Sequence, residues 1–306
     1  MFLPRTQVIR PVRGRCFLEQ KLTKVNSRLP AANVKTMWRT WQKSFPNLLL
    51  NHQRTPKRKG WTMFDLIIDT ETAPTHKSKR PDGSLSLVYD MGGVVRNTKT
   101  GEIVHSFSFV IADTFYNNRM MQSAYYAHKL PQYHAGIASN DWLTVSFKYA
   151  YDYINSLISN YGIRTVWAYN AKFDIATLDN SIYFYSNGWI DKFFPATVTL
   201  KDIWARCSNI TGSEKFVQYC FDNEYLSEKG NPQTKAEIVY RFLTQNDEFI
   251  EAHTARSDAE IEAYILTCAQ RNKKKARRGI GDGWRAASAT AKVMRSNRPK
   301  KSKHSK

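Results

Sequence analysis

Residues 64–71 read FDLIIDTE, a short apolar run, FDLII, that ends in two acids spaced two apart. Ile67 and Ile68 are β-branched and the run is too short for a helix, so it predicts a strand over 64–68. Two further strands follow, over 85–95 (LSLVYDMGGVV) and 104–111 (VHSFSFVI). The polar stretch from Asn97 to Gly101 between them predicts a turn. Three consecutive strands with short links make an antiparallel meander. Beyond it, apolar residues at helical spacing (Val145, Tyr149, Tyr153, Ile154, Leu157) predict a helix over 142–161, closed by Gly162. A fourth strand is expected over 165–168 and a fifth over 197–202, ending at Asp202. Helices are expected over 173–185, 235–244 and 258–271. Antiparallel strands followed by strand–helix alternation describe an α/β fold, a mixed sheet flanked by helices.

Charge divides the rest of the chain. The 306 residues carry a net charge of +20, yet residues 61–270 hold 18 Lys/Arg against 24 Asp/Glu. Residues 1–60 hold 14 Lys/Arg against Glu19 alone, and residues 271–306 hold 14 against Asp282 alone. Residues 63–271 therefore read as one domain, 1–62 as a basic extension and 272–306 as a basic tail. The extension contains an amphipathic stretch at 34–45, with Trp38 and Trp41, and a linker at 55–60. The tail allows a short helix over 280–293 around Trp284, with 294–306 expected to be disordered. Basic arms attract polyanions through counterion release, or else act as solvated tails. Apolar residues make up 42% of the chain, enough for a core without disulfides. The four cysteines form no C-x-x-C pair, which argues against a zinc ribbon or redox motif and for a reducing compartment. No apolar run approaches the length of a membrane span, so a cytoplasmic setting without membrane contact is expected. The Arg-rich start, MFLPRTQVIRPVRGR, leaves organellar targeting open.

Three short elements carry chemistry. Asp69 and Glu71 sit two apart on an extended backbone, so their side chains point the same way; paired carboxylates at a strand end suit a divalent cation. Taken alone, Asp69-Thr70 could equally shape a turn. Asn170-Ala171-Lys172-Phe173-Asp174 opens a helix, with Asn170 a plausible N-cap. Asp174 in the first turn suits either a cation or the helix dipole. His253 precedes Asp258 by five residues. A loop histidine can take a proton from water near neutral pH, although most lie idle on surfaces.

Together these elements resemble the DEDDh exonucleases, the family of the proofreading epsilon subunit of bacterial DNA polymerase III. The motifs read D-T-E, N-A-K-F-D and H-T-A-R-S-D-A, with H-x4-D spacing, across roughly residues 63–270. Asp202-Ile203-Trp204 is similar to the family's D-T step, with Ile203 in place of threonine. The resemblance implies a ribonuclease H-like core and two divalent ions, Mg2+ or Mn2+, held by Asp69, Glu71, Asp174 and Asp258, with Asp69 bridging. It implies that His253 activates the attacking water, with Thr70, Thr72, Ala73, Asn170 and Phe173 near the substrate. The implied activity is 3'→5' hydrolysis of single-stranded DNA to nucleoside monophosphates, with a polymerase or other replication protein as the protein partner. The motifs do not choose the sugar, so an RNA 3'→5' exonuclease stays open, as does a catalytically silent nucleic-acid-binding module.

Overall fold

The computed structural model describes residues 63–74, 86–272 and 283–297, all within residues 55–306, one of the two units into which the chain divides. The expected 34–45 helix and 55–60 linker lie outside the described residues.

Six strands form one sheet: β1 (Phe64–Pro74), β2 (Ser86–Asn97), β3 (Ile103–Ile111), β4 (Leu143–Val145), β5 (Thr165–Ala168) and β6 (Thr199–Asp202), in the order β4-β3-β2-β1-β5-β6. The β1–β2 and β2–β3 pairs are antiparallel, as the meander requires, while β1–β5, β5–β6 and β3–β4 are parallel. Among the described residues, the helices longer than two turns are α1 (Leu130–Ala138), α2 (Phe147–Tyr161), α3 (Ala171–Tyr185), α4 (Glu214–Asp222), α5 (Ala236–Thr244), α6 (Ala255–Arg271) and α7 (Gly283–Ser296).

β1 is an inner strand covered on both faces, which is why its sequence runs apolar instead of alternating. Leu66 and Ile68 join one core with Ala150, Ile154 and Leu157 of α2 and Leu178 and Ile182 of α3. Ile67 joins the opposite core with Val239 of α5 and Ala259, Ala263 and Leu266 of α6. The period of two along β1 thus sends odd residues toward α6 and even residues toward α3.

Several expectations are corrected. β1 does not stop at residue 68; it runs through Asp69 and Glu71 to Pro74, because pairing with β2 persists through a bulge between Glu71 and Thr72. Residues 143–145 are not helical but form the edge strand β4. Ser146 caps α2 by accepting the Tyr149 N–H, so the helix starts at Phe147. Gly162 closes it in the left-handed conformation, as expected. α6 begins three residues before Asp258. α7 continues past Val293 through Met294, which packs near Val217 and Ala287, so the 294–296 segment is helical. Single-turn helices at Ala112–Phe115 and Asn118–Met121, together with α1, fill a stretch for which the sequence pattern gave no element.

Candidate active site

Asp69 and Glu71 point from β1 to the α6 side of the sheet. There one carboxylate oxygen from each of Asp69, Glu71 and Asp258 lies within 4.8 Å of the other two. Thr70, between them, points the other way and donates its hydroxyl to Asp174 Oδ1 at 2.8 Å. Asp174 stands in the first turn of α3 and is buried. All four acids and His253 line one cleft of about 1160 Å3.

The approach of α6 to β1 and β2 is built from specific contacts. Gly92 leaves the space: a Cβ there would lie 2.1 Å from the Arg256 backbone nitrogen. Asp90, opposite Glu71 in the register, accepts the Ala255 N–H at 3.1 Å and the Tyr133 hydroxyl at 2.6 Å. At the far end, buried Arg96 grips Asp65 through Nε and Nη2 at 3.1 and 2.7 Å and donates to Thr267 and Gln270 of α6. These anchors fix where Asp258 points, and none belongs to the motifs.

His253 lies just before α6 with φ 49°, a left-handed conformation that side-chain-bearing residues seldom adopt. Its ring stacks on Tyr126 (centroids 4.7 Å apart, planes 21°). Its Nδ1 is 3.2 Å from the Tyr126 hydroxyl, 3.3 Å from Glu251 Oε2 and 4.0 Å from Asp258 Oδ2. Glu251, His253 and Asp258 form a second cluster of possible ligand atoms within 4.8 Å, sharing Asp258 with the first.

So many acids in one cleft repel, and burial compounds the effect. Burial, then Asp174 and Glu262, holds the Asp69 carboxyl well above its usual range. Burial, then Asp258 and Asp90, pushes Glu71 up to about 9. Asp174 and Asp258 are raised chiefly by burial. His253 is lowered, by burial first and Lys129 second, so the ring is neutral near pH 7. Buried Asp258 Oδ1 and Glu262 Oε2 have no hydrogen-bond partner among the described residues. Clustered carboxylates with orphaned oxygens are the donor set of a hard divalent cation, which would offset their repulsion. The residues present therefore fit a hard divalent cation at Asp69, Glu71 and Asp258, while Asp174, in the same cleft, lies outside that group of ligand atoms.

The other expected contacts divide. Phe173 is 46% exposed and lines the cleft. Asn170 also lines it and stands at the N-cap position of α3 as expected, but in a left-handed conformation and with no side-chain cap bond. Thr70 lines the cleft with its hydroxyl engaged by Asp174, and Thr72 is not among the lining residues. Asp202, at the end of β6, caps the turn at Ile203–Arg206 by accepting the Trp204 and Ala205 N–H groups. Glu251 and Glu262 went unread in the sequence; Glu262 had a signal, its spacing of four from Asp258 on one helix face.

No family model matches the chain, and no curated protein does. Among solved structures, the chain is similar to a 3'-exonuclease in a structure of 3'-end recognition of a histone mRNA stem-loop. The TM-score is 0.47 at 14% identity, over 85% of this chain and 81% of that one. It is similar to the nuclease domain of 3'hExo, a DEDDh family member bound to rAMP, with TM-score 0.45 at 16% identity over 72% and 99%. It is also similar to E. coli Exonuclease I in complex with a dA16 oligonucleotide, with TM-score 0.39 at 15% identity over 69% and 41%. Each of these three is described as an exonuclease or its nuclease domain, and one as a DEDDh member.

Proposed function

We propose that the protein is a metal-dependent 3'→5' exonuclease that removes nucleoside monophosphates from the 3' end of single-stranded DNA. The observation that carries this is the meeting of Asp69, Glu71 and Asp258 within 4.8 Å, with His253 Nδ1 4.0 Å from Asp258. The cleft exceeds the ~300–1,000 Å3 usual for small-molecule sites, which suits the end of a polymer.

Two divalent cations, when bound, would supply a water of lowered pKa, charge compensation for the phosphodiester and stabilisation of the leaving 3'-oxygen. The chain's own groups do the rest. His253 takes the proton of the attacking water, its ring held by Tyr126 and kept neutral by burial and Lys129. Thr70 fixes the Asp174 carboxylate. Phe173 offers an exposed ring on which a terminal base of any kind can stack.

End-labelled single-stranded DNA and matched RNA, incubated with Mg2+, Mn2+ or EDTA, test the proposal. Stepwise mononucleotide release from 3' ends of DNA, abolished by EDTA, is expected. Faster release from RNA would move the substrate to RNA. Binding without metal-dependent release from either would leave a silent binding module.

A further inference from the structure

We propose that Trp284 is a second stacking platform for the single strand, taking a base on the 5' side of the one that Phe173 takes, so that α7 is part of the substrate interface. The inference rests on the nucleic-acid reading above and extends it beyond the motifs, to a helix of the basic tail. Trp284 stands in the first turn of α7 and lines the same cleft as Asp69, Asp258 and Phe173. Its ring is 44% exposed. Trp284, Phe173 and Tyr125 are large exposed rings that share this one cleft. Exposed rings gathered in a concave site signal a ligand more than a scattered surface ring does.

The position of Trp284 is fixed by its neighbours. Gly283 packs so closely on Trp204 that a Cβ there would lie 2.3 Å from Trp204 Cδ1. The Trp204 indole N–H donates to Thr234 Oγ1 at 2.8 Å, and its ring stacks on Tyr169 with centroids 6.4 Å apart and planes 27° from parallel. Trp204, Thr234 and Tyr169 all line the cleft. Contact therefore runs unbroken from the start of α7 into the cleft wall. Further along α7, Ala287 and Ala291 are buried beside Val217, and the Thr290 hydroxyl donates to the Gly212 carbonyl at 2.8 Å. The Arg295 guanidinium donates to the Gly230 carbonyl, in the loop that brings Lys229 to the cleft. The backbone under the indole is thus held in place, which limits the ordering that stacking must supply.

Charge favours the same occupant. Among the described helices longer than two turns that line the cleft, α7 alone carries no acid; it carries Arg285, Lys292 and Arg295. The Arg285 guanidinium lies 5.7 Å from the Trp284 ring centroid. A ring for the base beside a cation for the phosphate binds a single strand whatever its sequence.

Fluorescence anisotropy of the full-length protein with 5'-labelled (dT)8 tests this, with Ca2+ in place of Mg2+ and intact oligonucleotide verified by electrophoresis. Competition by unlabelled thymidine monophosphate, which fills the terminal position alone, is measured alongside. Trp284→Ala should weaken (dT)8 about 5–150-fold, the scale of one lost base stack, and leave the mononucleotide unchanged. Trp284→Tyr should bind (dT)8 within threefold of wild type. Should the Ala variant lose Tm, Trp284→Leu, apolar but not aromatic, covers the rim and makes the same comparison. An affinity for (dT)8 within twofold of wild type in the variant without a ring would overturn the assignment alone. So would an equal loss for the mononucleotide, or a folded Tyr variant as weak as the Ala one. A wild type that does not bind (dT)8 would overturn it together with the nucleic-acid reading.

Discussion

Thr70 shows how a single side chain can join two motifs. Its neighbours on β1 face α6, while its hydroxyl reaches across to Asp174 at the start of α3. Val at this position keeps the shape and removes the donor. Thr70→Val is expected to lower kcat by about 10–100-fold, the usual scale for losing a group that orients a metal ligand, with little change in KM. A kcat within twofold of wild type would show that Asp174 needs no such support. His253 yields a second prediction. Lys129 is the charge that lowers its pKa most after burial. Lys129→Met removes a cation, which favours the protonated imidazole and raises that pKa. The acidic limb of the pH–rate profile, where the base becomes protonated, should move to higher pH. An unmoved limb would show that another group sets it. At this scale the sequence was informative about charge and silent about support. D-T-E, N-A-K-F-D and H-x4-D name the acids and the imidazole because chemistry restricts residue type. Tyr126 and Asp90 were invisible because their relation to the site arises only when distant segments meet.

α6 is the element on which the site turns, since it carries Asp258 and Glu262 and follows directly from His253. Its distance from the sheet is set at Gly92, where an added Cβ would lie 2.1 Å from a backbone nitrogen that cannot rotate away. Gly92→Ala must therefore push the first turn of α6 outward, at a cost of about 1–3 kcal/mol for an overpacked contact. The displacement should also reduce activity more than a comparable destabilisation elsewhere. Urea unfolding and kcat, measured on the same preparation, check both parts; a stable, fully active variant would refute the close approach. Arg96→Met offers the comparison at the other end of the helix. It leaves Asp65 buried without its partner, so a loss of about 3–5 kcal/mol is expected. Element by element, strands β1, β2, β3 and β5 were readable because inner strands are written as apolar runs. β4 was misread as helix because Leu143 and Val145 extend the apolar spacing of α2 backwards, although Ser146 carried the capping signal. The run of short helices before α1 was unreadable for a different reason. Single turns are too brief for periodicity, and their stability comes from Phe115, Met121 and Tyr133 packing against Tyr89 and Val110.

For the whole molecule, concentrated acid makes folding and cation binding one problem. Glu71 is raised to about 9, Glu251 to about 7 and Asp90 to about 6, in each case mainly by burial. An acid whose folded pKa lies above its unfolded value stabilises the fold fully below the unfolded value, and that contribution disappears as pH rises through the folded one. In EDTA, stability should therefore fall between about pH 4 and 9. Bound Mg2+ favours the ionised acids, so the Tm gained on adding it should grow over the same range. A flat Tm in EDTA would contradict the burial of these groups. The basic arms were read from charge alone, and charge gives no sign of a helix within the second of them. Residues 283–296 form α7, whose Ala287 and Ala291 are buried beside Val217, so removing everything after residue 271 would strip a packed helix as well as charge. The cleaner cut follows Asn297 and removes Arg298, Lys300, Lys301, Lys303 and Lys306. If all five neutralise phosphates of a single strand, the slope of log K against log salt becomes shallower by about 3.5. The fold and the hydrolysis of a nitrophenyl ester of a mononucleotide, which engages only the terminal position, should be untouched. An unchanged slope would mean that the polyanion is drawn in by other charges, leaving these five as a solvated end.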